Sequence, residues 1–149
     1  MEAIKKSLPY QVQTLTSDRA LEHLAYNLFD DEEVEIVIPG INRSAIYITA
    51  WRAFVYKEGM TAGAAGGSKF ISWDLDVVQG VYWEFGVMSG VAGLLLSGSP
   101  TFGWGGNDMG SIASQDLPNA VSVTSREVAE DGTIALRRFL VDRKHKIEE

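Results

Sequence analysis

The chain has 149 residues, 46% of them hydrophobic and 22% charged, which fits one globular domain with a packed core and excludes a disordered chain. It has no cysteine, so disulfides and thiolate metal sites are excluded. The formal net charge is -7, whereas binding to nucleic acid draws on cations that displace phosphate counterions. Nucleic acid is therefore not an expected partner, and anionic membrane surfaces are disfavoured on the same ground.

The start, Met1 to Lys6, is not followed by the apolar stretch of a signal peptide. The most apolar segment, residues 85–96, is shorter than the roughly 20 residues that span a bilayer. A soluble, cytoplasmic protein is the expectation.

Leu21, Leu24, Ala25 and Leu28 repeat at helical spacing and predict an N-terminal helix over about 17–29. Thr16 or Ser17 can cap it, and Asp18 suits its first turn. Asp30, Asp31, Glu32 and Glu33 then read as a solvated loop without calcium-loop spacing. From residue 33 the period changes to two. Strands are predicted over about 33–38, 46–49, 53–57, 69–74, 77–85, 91–97 and 119–124. Pro39-Gly40, Glu58-Gly59 and Met88-Ser89-Gly90 supply turns, and residues 61–67 form a small-residue loop. Residues 99–116 form a long loop or distorted edge.

Residues 126–147 read as a C-terminal helix, with Val128, Gly132, Ala135, Leu136 and Phe139 on one face. Gly132 weakens that helix by about 1 kcal/mol relative to alanine and can mark its true start. Successive strands with helices at the ends predict an α+β domain: about seven antiparallel strands in a curved sheet or partly open barrel, plugged by the long C-terminal helix.

The stretch 45–59, with Thr49, Arg52, Lys57 and Gly59 in place, resembles the second and third strands of bacterial pleckstrin-homology-like domains. Residues 70–81 look like their fourth strand, turn and fifth strand, and residues 28–38 like their lead-in. The resemblance covers about 21–97. Ala50 stands where the family has Asp, and 99–119 matches nothing in it. The family implies a curved sheet or partly open barrel closed by the C-terminal helix, and some relatives assemble into rings. Eukaryotic pleckstrin domains grip inositol phosphates from the loop matching residues 39–44, which here offers only Arg43.

No catalytic, cofactor-binding or metal-ligating constellation stands out. His23 and His145 lack a helical ligand partner. The glycines before Ser68-Lys69 fail the phosphate-loop order, and no nucleophile elbow is present. Arg43, Arg137 and Arg138 are weak candidates for anion contact.

The apolar pattern is more informative. Val81, Trp83 and Phe85 share one face of their strand, and Val78 and Tyr82 the other; Ala92, Leu94 and Leu96 oppose Val91 and Leu95. Both faces of this hairpin are thus apolar, which calls for cover by a helix or by another subunit. Leu94, Leu96, Tyr82, Phe102 and Trp104 are the candidate interface residues. These features point to a non-catalytic binding or scaffolding module, with a second copy or a protein as partner. A small enzyme or small-molecule-binding protein with a pocket at the open barrel end, or a subunit of a larger particle, are the alternatives.

Overall fold

The computed structural model describes residues 17–59, 67–87, 89–97 and 118–148. In chain order they form α1 (Asp18–Asn27), β1 (Ile36–Pro39), β2 (Ala45–Ile48), β3 (Arg52–Glu58), β4 (Ser68–Asp74), β5 (Val78–Phe85), β6 (Gly90–Leu96), β7 (Ala120–Val123) and α2 (Arg126–Glu148). All pairings are antiparallel: β1 to β4 form one sheet in sequence order, and β5 to β7 a second. These are two open sheets and not a closed barrel, but the seven strands and two flanking helices are those expected.

The first sheet is buried on both faces along β2 and β3, whereas its edge strand β4 is largely exposed. Its inner face carries Ile38, Ile46, Ile48, Ala53 and Val55, in one cluster with residues of the second sheet and of α2. Its outer face carries Val37, Ala45, Tyr47, Phe54 and Tyr56, which pack against Ala20, Leu21 and Leu24 of α1. Strand register aligns these residues, with Val37 opposite Tyr47 and Tyr47 opposite Phe54. A strand buried on both sides cannot alternate polar with apolar, and β2 reads AIYI accordingly. Ser17 caps α1 by accepting the Ala20 N–H at 3.1 Å. The helix buries Ala20, while Ala25, expected on that face, is exposed.

The second sheet departs from simple alternation at one place. The register of β5 against β6 shifts between Val78 and Gly80, so Val78 joins Val81, Trp83 and Phe85 on the core side instead of opposing them. Ala92, Leu94 and Leu96 share that core. Leu94 is 0% and Leu96 8% exposed within the chain itself. These two interface candidates are therefore core residues, and the inner face of the hairpin is covered from within.

The outer face is closed by a different device. An added Cβ on Gly93 would lie 2.6 Å from the Tyr82 ring, and one on Gly80 3.3 Å from Leu95 Cδ1. Each glycine leaves room for the side chain of its cross-strand partner to lie over it. Burial, with the nearby Glu84 charge, pushes the Tyr82 phenol up to about 12.

The second helix is continuous from Arg126 and does not begin at Gly132. It lies against β5 and β1 and buries Ala129, Thr133 and Leu136, with Phe139 and Leu140 partly covered. Arg143 Nη2 donates to Asp76 Oδ1 at 2.7 Å, tying the helix to the turn Leu75–Val77. A Cβ at Gly132 would meet Ile38 Cγ1 at 2.8 Å, so glycine sets how closely the helix approaches β1. Gly132→Ala should therefore lower stability by about 1–3 kcal/mol through overpacking, despite alanine's better helix propensity. Thermal melts check this, and a raised midpoint would show that the contact does not limit the packing.

Candidate interaction surface

The chemistry of the described residues concentrates where the end of α1 meets the turn between β2 and β3. Leu28 closes the helix by donating its N–H to Leu24 O, and the chain turns back with Glu32 N–H donating to Phe29 O at 3.0 Å. Glu32 points inward: its Oε1 accepts the Phe29 N–H at 3.1 Å, and its Oε2 accepts Thr49 Oγ1 at 2.7 Å and Arg52 Nε at 3.0 Å. Arg52 Nη2 completes a two-pronged ion pair through Oε1 and also donates to Asn27 O at the helix end. Thr49 Oγ1 accepts the N–H groups of Trp51 and Arg52, which fixes the hairpin turn.

The Glu32 side chain is fully buried and that of Arg52 is partly buried. Burial alone would raise the Glu32 carboxyl. Hydrogen bonds from Arg52, Thr49 and the Phe29 N–H, with the charge of Arg52, outweigh it and hold the group below its ordinary 4.5. A carboxyl lowered on folding stabilises the native state above its unfolded pKa, and that contribution fades as pH falls through the folded value. Glu32→Gln should cost about 3 kcal/mol at neutral pH, and its deficit against the native chain should shrink below pH 4.5. Melts from pH 7 to pH 3 test this, and a deficit independent of pH would contradict the ionised pair.

Above this buried pair lies an aromatic surface. The Arg52 guanidinium carbon sits 4.4 Å from the centre of the Phe29 ring and 4.7 Å from that of Phe54. Phe54 is core, whereas Phe29 is 59% exposed and meets Trp51, 42% exposed, at 6.1 Å between ring centres. The chain neighbours Asp30, Asp31 and Glu33 are all exposed. Trp51 is held through its backbone as well, since its carbonyl accepts the Leu75 N–H at 2.8 Å. Two large aromatics are thus fixed in solvent beside acidic residues, on a base with no charge left over.

A second feature is an open cleft of 630 Å³ lined by Ser17, Arg19, Asn42, Arg43, Glu58 and Gly59. Asn42 and Arg43 both adopt positive φ, of 50° and 62°. Glu58 accepts hydrogen bonds from Ser17 Oγ and Tyr56 OH, and burial followed by this bond pushes the Tyr56 phenol well above its usual range. Arg43 is in this cleft, whereas Arg138 lines another, between α2 and β1, and Arg137 is exposed on the helix. The three anion-contact candidates do not line one common cleft.

Of the interface candidates, Leu94 and Leu96 are in the core, Tyr82 lies over Gly93, and Phe102 and Trp104 fall outside the described residues. Phe29, Trp51 and Glu32 do not stand out in the sequence, where Glu32 belongs to the run that reads as a solvated loop. Its phase was the available signal: Glu32 and Val34 are buried while Glu33 and Glu35 are exposed, so the period-two pattern starts one residue earlier. Among the described residues no group of three or more His, Asp or Glu side chains could hold a metal ion. None of the described helices is long and apolar enough to cross a membrane.

No protein-family model matches the chain, and no curated protein matches it. Among solved structures the chain is similar to a DUF1696 family protein with a pleckstrin-homology domain from Shewanella loihica PV-4. That match has a TM-score of 0.48 and 13% identity over 84% of this chain and 90% of the other. It is also similar to a pleckstrin homology domain from Shewanella amazonensis SB2B, with a TM-score of 0.42 and 18% identity over 56% of this chain and 75% of the other.

Proposed function

We propose that the chain is a non-catalytic, pleckstrin-homology-like scaffolding module that self-associates through the surface around Phe29 and Trp51. The observation that carries this reading is the exposed aromatic pair fixed on the buried Glu32–Arg52 pair. Rigid aromatics contribute contact area at low entropic cost and serve as anchors in protein interfaces. A surface of this kind suits a protein partner better than a small substrate, because two large aromatics stand exposed and their polar support is already satisfied. The Glu32–Arg52 pair is hydrogen-bonded to Thr49, Phe29 and Asn27, which supports a structural role for it.

The test is molar mass by light scattering over a hundredfold range of protein concentration. The native chain should rise above the monomer mass as concentration increases. Trp51→Ala should move that rise to concentrations about thirtyfold higher, as loss of an anchor worth about 2 kcal/mol requires. The same variant should keep its far-ultraviolet circular dichroism spectrum. Native protein that stays at the monomer mass throughout would refute the reading.

A further inference from the structure

A cleft of 510 Å³ opens between α2 and the start of β1, the edge strand of the first sheet. Ile36 and Phe139 form its apolar floor, half-buried against the inner core, and Ile134, 60% exposed, stands beside them. Glu35, Asp131 and Asp142 line it with three carboxylates against the single guanidinium of Arg138, so the cleft is net acidic. None of these four groups takes part in an ion pair among the described residues. Glu35 reaches the cleft through a break in strand alternation. Val34 packs in the outer cluster and Ile36 against the inner one, although residues two apart in a regular strand share a face.

Spacing and charge together select an occupant. Asp131 and Asp142 lie about 16 Å apart along the helix axis, with Ile134 and Phe139 between them. An extended strand covers that distance in about five residues, and its first, third and fifth side chains point the same way. We infer that this cleft docks an extended segment of a partner protein that carries an apolar side chain between two cationic ones. The cations meet Asp131 and Asp142, the apolar group rests on Ile36, Ile134 and Phe139, and Glu35 adds to the attraction from the β1 side. Both the cleft and the chain's net charge of -7 draw such a segment in and repel an acidic one. The inference goes beyond self-association and does not rest on it, since none of the lining residues belongs to the Phe29–Trp51 surface.

A fluorescein-labelled pentapeptide with lysine at both ends, leucine at its centre and serine between them tests this, titrated with the full chain and read by fluorescence anisotropy. It should bind saturably at low salt with a Kd below about 1 mM, and more weakly at high salt. The same peptide with glutamate in place of lysine should not bind. Glu35→Gln, Asp131→Asn and Asp142→Asn should each weaken binding about threefold. Arg138→Gln removes the opposing charge and should tighten binding by about the same factor. Ile134→Ser reads the apolar contact without a change of charge and should weaken binding too. Glu22→Gln, on α1, matches the charge change away from the cleft and should leave binding unchanged, as should Trp51→Ala. All these positions are exposed, and thermal melts verify that each variant is folded.

No saturable binding, equal binding of the glutamate peptide, or equal weakening by Glu22→Gln overturns the docking site. Displacement of the peptide by an equal concentration of putrescine overturns it as well, because the cleft then takes a small cation and not a protein segment. Loss of self-association in the cleft variants would assign the cleft to a second copy and overturn it likewise. A native chain that binds the peptide yet stays monomeric sustains this inference while the self-association reading fails.

Discussion

The carboxylate of Glu32, buried beneath the β2–β3 turn, is the constraint on which the neighbouring structure depends. It joins the end of α1 at Phe29 to the β2–β3 hairpin turn at Thr49 and Arg52, and Arg52 in turn donates to Asn27 O at the helix end. A charge taken out of water is costly unless its lone pairs are filled and a counter-charge is close, and here both conditions hold. The arrangement fixes how α1 descends onto the outer face of the first sheet, and so determines that Tyr47, Phe54 and Tyr56 are buried. It also leaves Phe29 with one face on the Arg52 guanidinium and much of its ring in water.

The two sheets solve the problem of an apolar outer face in opposite ways. The first recruits a helix, which adds a second core but brings Phe29 and Trp51 to the surface at its end. The second recruits nothing from the described helices: Tyr82 lies over Gly93 and Leu95 over Gly80, so its own side chains cover its backbone. The second helix is used on the inner side, where Gly132 lets it settle against Ile38. Its outer side is left with Ile134 and Val141 among exposed charges of both signs. The aromatic surface proposed for association is thus a consequence of how the outer core of the first sheet was completed.

Much of this architecture was legible in sequence. The succession of strands along the chain, both helices and a cap at Thr16 or Ser17 follow from periodicity and turn residues, because burial imposes those patterns locally. Three features were not legible, each for a physical reason. The bulge after Val78 inverts a face without changing composition, so Val78 read as opposing Val81. The apolar Leu94 and Leu96 read equally well as core or interface, since sequence shows hydrophobicity and not what lies opposite. The partner of Arg52 lies 20 residues upstream in an acidic run whose other members are solvated. Thr49 and Arg52 were visible as a motif, but nothing in their spacing indicates that the acid they bind is Glu32.

The central claim is that the buried Glu32–Arg52 pair holds the exposed aromatics still, as a binding surface requires. Nitrogen-15 relaxation of the Trp51 indole, compared between the native chain and Glu32→Gln, tests it most directly. The account predicts a native indole as ordered as the backbone of β3 and a markedly more mobile one in the variant, with the amides of β5 and β6 unchanged. A Trp51 indole that is mobile in the native chain, or equally ordered in both, would contradict it.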